Sequence, residues 1–494
     1  MAGVGVKLKR IYEKKSIAAN VLGIGYSVII TVAPVLFIVA SVWVMENALG
    51  FADESYLTRD LFSSVILYIF IFSLLAVHLL FSPVLSRFVQ DAIFEERYGD
   101  VMPCYQVGLL LTLLFGCIPG AVFSLWVHFA GGVEAGFVFL GYCGYTAMIF
   151  VLYSMVYLSV CKDYERISLF FLIGMAAACL CALLLRYGLH VEVTYSLLSA
   201  LAVGFLLIGI LEYTALKNYF PENSGQYKLV FVYCKKWWKL MASNFFYVLG
   251  LYIHNFVFWS HETRSVVAKS FICNQNYDMA TYIAIFTNIS TLIIFISSVE
   301  MNFNKKYKAY SEAVIGGKWG DIDAAGSRMF RQLSEELLNL VRLQFIITVT
   351  VYLLCVVILP QLGFAGSIMR IYPCLAAGFF ILFIMYAAMH FLYYFNDFAG
   401  AVLTAAGFCA VTFLGSVLSM GLSETWYGLG IVLGAFAGWT LAYARLRWIE
   451  RNLSTYTFCE GTMLRREDRE KPDGKVYDRK TAMMSEGEGT GDGA

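Results

Sequence analysis

The chain has 494 residues, of which 60% are hydrophobic and 14% charged, with a formal net charge of +1. A soluble globular chain usually carries about a quarter charged residues, so this composition points to lipid as the solvent. The near-neutral balance leaves no basic face of the kind that binds nucleic acid. The 12 cysteines form no C-x-x-C pair and fall mostly inside apolar runs, as at Cys104, Cys117, Cys143, Cys179, Cys181, Cys355 and Cys409. They are read as small buried hydrophobes rather than as a disulfide framework or a structural metal site.

Basic residues Lys7, Lys9, Arg10, Lys14 and Lys15 precede an apolar stretch that is too long for a signal peptide and has no A-x-A site. It is expected to remain as the first anchor. A spanning helix needs about 20 largely apolar residues. Runs of that kind predict twelve spans, at 18–45, 61–81, 104–129, 135–160, 167–186, 193–216, 241–260, 281–299, 338–359, 374–395, 399–421 and 426–447. They are too long and too unalternating for barrel strands, so the expected class is an all-α polytopic membrane protein. Pro34 lies within the first span, where it frees a carbonyl and is expected to kink the helix, a candidate hinge.

Orientation follows from Lys and Arg placement. With the N-terminus inside, only Arg59, Arg186, Arg264, Lys269 and Arg370 of the 36 basic residues fall outside. Both termini are therefore expected in the cytoplasm of a multi-pass protein of the cytoplasmic (inner or plasma) membrane. The longest polar stretches, 217–239 and 301–342, then lie inside. The first divides the chain into an N-terminal six-helix lobe (1–216), an inter-lobe linker (217–240) and a C-terminal six-helix lobe (241–458). The last residues, 459–494, lack apolar anchors and are expected to be a disordered cytoplasmic tail. Spans one and seven begin on the same side, which permits two parallel repeats.

Polar side chains inside a bilayer are costly and normally face a bundle interior or a wet cavity. The seventh span carries Asn244, Tyr247, His254 and Asn255, and the eighth Thr281, Asn288, Thr291 and Ser298. The tenth brings Tyr386, His390, Tyr393, Tyr394 and Asp397, and the fourth Tyr142, Tyr145, Tyr153 and Tyr157. Aromatic rings bearing hydroxyls suit a hydroxylated ligand, since rings stack on sugar faces while hydroxyls exchange hydrogen bonds. Candidate residues of a substrate path are Asn244, Tyr247, His254, Asn255, Asn288, Thr291, Tyr386, His390, Tyr393, Tyr145 and Tyr153. The same groups also suit inter-helix hydrogen bonding. Lys235, Lys236, Lys305, Lys306, Arg328 and Arg331 are candidate partner-docking residues, or simply charges that set topology.

No P-loop, H-E-x-x-H or G-x-S-x-G is present. Asp321-Ile322-Asp323 is a D-x-D triplet in a short loop, where a helix-capping Asp is the expected role. The chain is expected to be no enzyme and to need no cofactor or metal.

Several stretches resemble the PelG family, the membrane subunit of Pel exopolysaccharide export. They begin with Met1-Ala2-Gly3-Val4-Gly5-Val6-Lys7-Leu8, and the strongest lies at 277–317: Tyr277-Asp278, Tyr282-Ile283-Ala284, Val299-Glu300-Met301-Asn302-Phe303, Tyr307, Tyr310 and Gly316-Gly317. Tyr393-Tyr394-Phe395-Asn396-Asp397, Tyr427-Gly428-Leu429-Gly430 and Leu453-Ser454-Thr455-Tyr456-Thr457-Phe458 follow. His254-Asn255 stands where the family pattern has an acidic–basic pair, and Asn396-Asp397 where an Asp-Asp pair is common. The resemblance implies a flippase fold of the multidrug/oligosaccharidyl-lipid/polysaccharide (MOP) superfamily, MATE-like, with two six-helix lobes around a cavity. It also implies passage of a Pel-like, N-acetylgalactosamine-rich polymer across the cytoplasmic membrane. A cytoplasmic glycosyltransferase subunit and small membrane scaffold subunits would be the partners, beside the polysaccharide and the lipid bilayer. Competing readings are a lipid-linked oligosaccharide or small-molecule antiporter of the same superfamily, a non-transporting scaffold for a glycosyltransferase, and a membrane-embedded glycosyltransferase using Asp321 and Asp323.

Overall fold

The computed structural model describes residues 17–161, 163–288, 302–361, 363–364, 366–458, 469–470 and 476–477. Almost all of this is helix, because a backbone in hydrocarbon must satisfy its own N–H and C=O groups. The N-terminal half holds α1 (Ile17–Ala48), α2 (Tyr56–His78), α3 (Ser82–Phe94), α4 (Val101–Phe129), α5 (Ala135–Val160), α6 (Tyr164–Leu183) and α7 (Val193–Tyr219). A short helix, α8 (Tyr227–Lys236), leads to α9 (Trp238–Phe258), a hairpin of β1 (Ser265–Val267) and β2 (Phe271–Cys273), and α10 (Gln275–Asn288). Then come α11 (Asn304–Gly316), α12 (Trp319–Gln361), α13 (Ser367–Tyr394), α14 (Phe398–Ser419), α15 (Leu429–Arg451) and α16 (Leu453–Phe458). In the segment expected to be a tail, β3 (Arg469–Glu470) pairs antiparallel with β4 (Val476–Tyr477).

Ten of these helices, among the described residues, are long and apolar enough to cross a bilayer. With α1, whose described apolar part is Ala33–Ala48, and α10, which begins the eighth predicted span, they occupy all twelve predicted places. The chain is thus a multi-pass, all-α membrane protein. The spans pack as two six-helix lobes with one wiring. In the first, span one packs on five, five on six, four on six, two on four and three on four. In the second, seven packs on eleven, eleven on twelve, ten on twelve, eight on ten and nine on ten. Adding six to each number converts one set into the other. Even the closest crossings correspond. A Cβ on Gly204 of span six would stand 3.0 Å from the Gly174 carbonyl of span five, and one on Gly415 of span eleven 2.9 Å from the Gly430 Cα of span twelve. Small residues let backbones approach where no hydrophobic drive joins helices.

Each lobe has its own core, one running from Ile38 to Phe271 and the other from Tyr247 to Tyr456. The outward faces are apolar: Leu110, Leu114, Ile118, Val122, Leu125 and Trp126 recur at helical spacing along one exposed stripe of α4. A stripe of that kind in a spanning helix faces lipid. Several boundaries differ from the sequence reading. Residues 217–240 are expected to be a linker, yet α8 packs against α3 and α4 of the first lobe, with Val230 in its core. α12 starts 19 residues before the predicted 338 and runs for 43 residues. The D-x-D triplet starts in its first turn, where the Asp321 carboxylate accepts the Lys318 main-chain N–H at 3.2 Å, the capping role expected of it. The helix α1 continues through Pro34 to Ala48. All eleven cysteines among the described residues are free thiols.

Candidate functional site

The lobes meet chiefly through α2 and α3 of the first lobe and α9 with its hairpin from the second. At the end of the bundle away from the hairpin, the break between α2 and α3 leaves carbonyls of the last α2 turn without helical partners. The Asn244 amide on α9 donates to the carbonyl of His78 and, at 3.4 Å, to that of Leu79. Nearby, the Arg87 guanidinium on α3 lies 4.0 Å from the centre of the Trp237 ring and 5.2 Å from that of Phe398, and donates to the Asn396 side-chain carbonyl at 3.2 Å. A guanidinium over an indole face is a favourable cation–π pair.

At the opposite end, the hairpin rises from the second lobe and inserts into the first. Phe271 is buried in the first-lobe core. Tyr68, midway along α2, donates its hydroxyl proton to the Ile272 carbonyl (2.8 Å) and accepts the Ile272 N–H (2.9 Å). One phenol thereby satisfies both outward groups of an edge residue, standing in for a third strand. The Tyr68 ring stacks between Phe123 (centroids 5.3 Å, 19°) and Trp259 (5.5 Å, 12°), so one aromatic pile runs from the first lobe to the second. Ala268 and Lys269 in the hairpin turn both hold left-handed backbones, φ 47° and 54°. The tip sits tightly on Gly131, where a Cβ would stand 2.7 Å from the Ala268 carbonyl. Non-glycine residues rarely adopt φ > 0, and here two in succession hold the strap bent.

The sequence-predicted residues divide into separate groups. Tyr247, Tyr386, His390 and Tyr393 form one aromatic face of the second lobe: Tyr386 lies 5.1 Å from Tyr247 and 4.0 Å from His390, centroid to centroid, and His390 lies 5.4 Å from Tyr393. His390 Nδ1 bonds the Tyr386 carbonyl at 3.0 Å, and the hydroxyls of Tyr393 and Ser243 are 2.9 Å apart. Tyr386, His390 and Tyr393 keep partial exposure, and Tyr393 packs against the small cluster of Val84, Leu240 and Phe398 that the two lobes share. This face, with Asn244, is what the structure brings together at the junction of the lobes.

His254 and Asn255 are buried within the second lobe. His254 Nδ1 stands 2.8 Å from the Tyr277 hydroxyl, while Asn255 donates to Asp278 at 2.7 Å. Asp278 also receives the Trp259 indole N–H (2.9 Å) and the Asn274 main-chain N–H (3.2 Å), so the carboxylate at the start of α10 fixes one ring of the aromatic pile. Asn288 is a second hub: it donates to the Ala284 and Ala376 carbonyls (3.0 and 3.1 Å) and accepts from Thr348 (2.7 Å) and Gln344 (3.4 Å). Thr291 lies outside the described residues. In the first lobe, Tyr145 donates to the Gly116 carbonyl at 3.0 Å, and Tyr153 joins Tyr105, Ser154 and Tyr157 in a buried hydroxyl network. Lys235, Lys236, Lys305, Lys306, Arg328 and Arg331 are all exposed, Arg331 pairing with Glu335 at 3.1 Å.

Sequence reasoning missed Tyr68, Phe123, Gln344 and Thr348. Each lies inside a run read only as apolar, although Tyr68 within Tyr68-Ile69-Phe70-Ile71-Phe72 was a visible polar handle. Glu212, inside the predicted sixth span, is fully buried in the first lobe, and neither carboxyl oxygen has a hydrogen-bond partner among the described residues. Asn396-Asp397 is turn chemistry. Asn396 takes φ 58°, Asp397 caps α14 by accepting the Gly400 N–H at 3.1 Å, and Arg445 donates to both its oxygens. No group of three or more His, Cys, Asp or Glu suited to a metal occurs among the described residues.

The PelG family model, described as "Putative exopolysaccharide Exporter (EPS-E)", matches residues 1–458. No curated protein matches the chain in sequence. Among solved structures it is similar in fold to an outward-facing multidrug resistance MATE family transporter of the MOP superfamily, with TM-score 0.54, 12% identity, and 86% of this chain and 94% of that one covered. An inward-facing MATE transporter gives TM-score 0.52 at 12% identity over 86% and 95% of the two chains. A MOP superfamily transporter from Pyrococcus furiosus gives TM-score 0.52 at 13% identity over 86% and 94%.

Proposed function

Because the chain belongs to the PelG family, we propose that it carries a nascent, N-acetylgalactosamine-rich exopolysaccharide across the cytoplasmic membrane as the transport subunit of a synthase-dependent secretion complex. The six-helix lobes, 1–216 and 241–458, are the two moving bodies, and the hairpin end faces outward with both termini in the cytoplasm. A cytoplasmic glycosyltransferase feeds the polymer, and small membrane subunits hold it in place. The basic residues of α8, α11 and the first half of α12 dock them. The chain itself makes and breaks no covalent bond.

What supports this reading is the aromatic face of Tyr247, Tyr386, His390 and Tyr393, which reaches the first lobe at Tyr393, together with ties between the lobes at Asn244 and Arg87 near one end of the bundle and at the strap near the other. Rings and hydroxyls at that junction suit successive sugar units, and the few groups that tie the lobes suit a path that opens at one end at a time.

The test is reconstitution in liposomes with and without the synthase subunits, reading polymer delivered to the far side. Delivery that requires the synthase, and that falls at least tenfold in Tyr386→Ala/His390→Ala while the complex still assembles, is the expected result. Short oligosaccharide moving down an ion gradient without the synthase would instead establish an antiporter. Undiminished delivery by the double variant would remove the aromatic face from the path.

A further inference from the structure

A cavity of about 230 Å³ lies in the first lobe between α2, α4 and α5, roofed by the strap. Its walls are Phe72, Phe123, Val127, Phe137, Val138 and Phe271. Three tyrosines also line it, but their hydroxyls are committed elsewhere: Tyr142 donates to the Cys117 carbonyl (3.1 Å), Tyr145 to the Gly116 carbonyl, and Tyr68 holds Ile272. Ser124 adds one hydroxyl, and the rest of the wall offers rings and methyl groups where a sugar would need several donors. Water needs two to four polar partners to occupy an internal site, and this lining supplies too few.

The cavity also adjoins the lipid. Pro119, one of its wall residues, is exposed and sits beside Ile118 and Val122, which belong to the lipid-facing stripe of α4. The space thus continues into the surface where acyl chains are the solvent. Chains there are abundant enough that a modest affinity suffices. An empty void would forfeit the dispersion contacts of its lining atoms.

We infer that this cavity is a binding site for one acyl chain of a bilayer phospholipid, inserted past Pro119 to lie against Tyr68 and Phe271 beneath the strap. The inference goes beyond the transport reading and does not depend on it. Its occupant touches the phenol that ties the strap, so the lipid shares a residue with the closure of the lobes.

The test uses the full chain in liposomes containing a phosphatidylethanolamine with a diazirine midway along one acyl chain, followed by photolysis and peptide mapping. Labelling at Phe123–Val127 and Phe137–Val138 at least tenfold above that at Leu110 and Leu114, the exposed stripe serving as internal reference, is expected. Ser124→Trp, which projects an indole into the cavity, is expected to abolish that excess and leave the reference labelling unchanged. Val138→Trp is the second variant should the first elute aggregated on size exclusion. Labelling of the cavity no stronger than the stripe overturns the site. So does an excess that survives in a folded cavity-filling variant, or efficient labelling of the same residues by a diazirine-bearing oligosaccharide.

Discussion

Tyr68→Phe isolates what one hydroxyl does for the contact between the lobes. The phenylalanine keeps the stack between Phe123 and Trp259 but loses the bonds to the Ile272 N–H and carbonyl. Each such bond contributes a net of about 0.5–1.5 kcal/mol, and the orphaned edge groups add to the loss. The closed strap is therefore weakened by roughly 2 kcal/mol, about a 30-fold rise in its opening equilibrium. Cys273, the last residue of β2, reports on that opening because it is 7% exposed when the strap is seated. Burial, reinforced by Asp278, also pushes its thiol up to about 11, so alkylation at neutral pH proceeds through the released strap. In purified protein with the other cysteines replaced, maleimide labelling of Cys273 should be about 30-fold faster in Tyr68→Phe than in the parent. Because the thiol is raised in the closed form, closure is fully favoured below the free-thiol value near ~8.5. It weakens as pH rises from there toward about 11. A labelling rate within twofold of the parent, in a variant that elutes and melts normally, would refute the idea that Tyr68 holds the strap.

Other substitutions test the remaining contacts. Asp397→Ala removes the cap of α14 and leaves the Arg445 guanidinium without its carboxylate, which predicts a loss of about 3 kcal/mol in unfolding experiments; Asp397→Asn should retain part of the cap and lose less. Lys269→Gly relieves one left-handed residue in the strap turn and should stabilise the closed form by about 1 kcal/mol, seen as slower Cys273 labelling. Asn288→Leu strips Thr348 and Gln344 of their shared acceptor and should lower the thermal midpoint by several degrees; an unchanged midpoint would show that the hub does not hold spans eight, nine and ten together. Glu212→Leu replaces an unpartnered buried acid and should raise the midpoint, while transport lost in that folded variant would assign the carboxyl a role in coupling.

Where helices cross the bilayer was legible, because a run of about 20 apolar residues in lipid has few other outcomes. Span four begins and ends at Ala135 and Val160, where the hydropathy places it. The parts that were not legible are those whose signal is not length. α3 is a 13-residue amphipathic helix, too short for that criterion, although Val84, Leu85, Phe88, Val89 and Ala92 mark its buried face. The first half of α12 carries enough charge to read as a loop, yet Met329, Phe330, Leu333 and Leu340 form its buried face. The strap is two three-residue strands, below any periodicity threshold. For the site, residue type announced polar cost but not destination. Asn288 finishes inside the second lobe, Tyr153 inside the first and Tyr393 where the two meet, and only packing separates those outcomes.

The length of α12 has a mechanical meaning. Its 43 residues extend about 65 Å at 1.5 Å per residue, roughly twice the thickness of the hydrocarbon slab. Some 35 Å of stiff rod therefore stands clear of the bilayer, rooted in the second lobe. Tilting that lobe by about ten degrees would sweep the Trp319 tip sideways by some ~6 Å. On the proposed transport cycle, a subunit resting on the tip would feel each stroke as a lever arm's throw, and by the same linkage could hold the arm still.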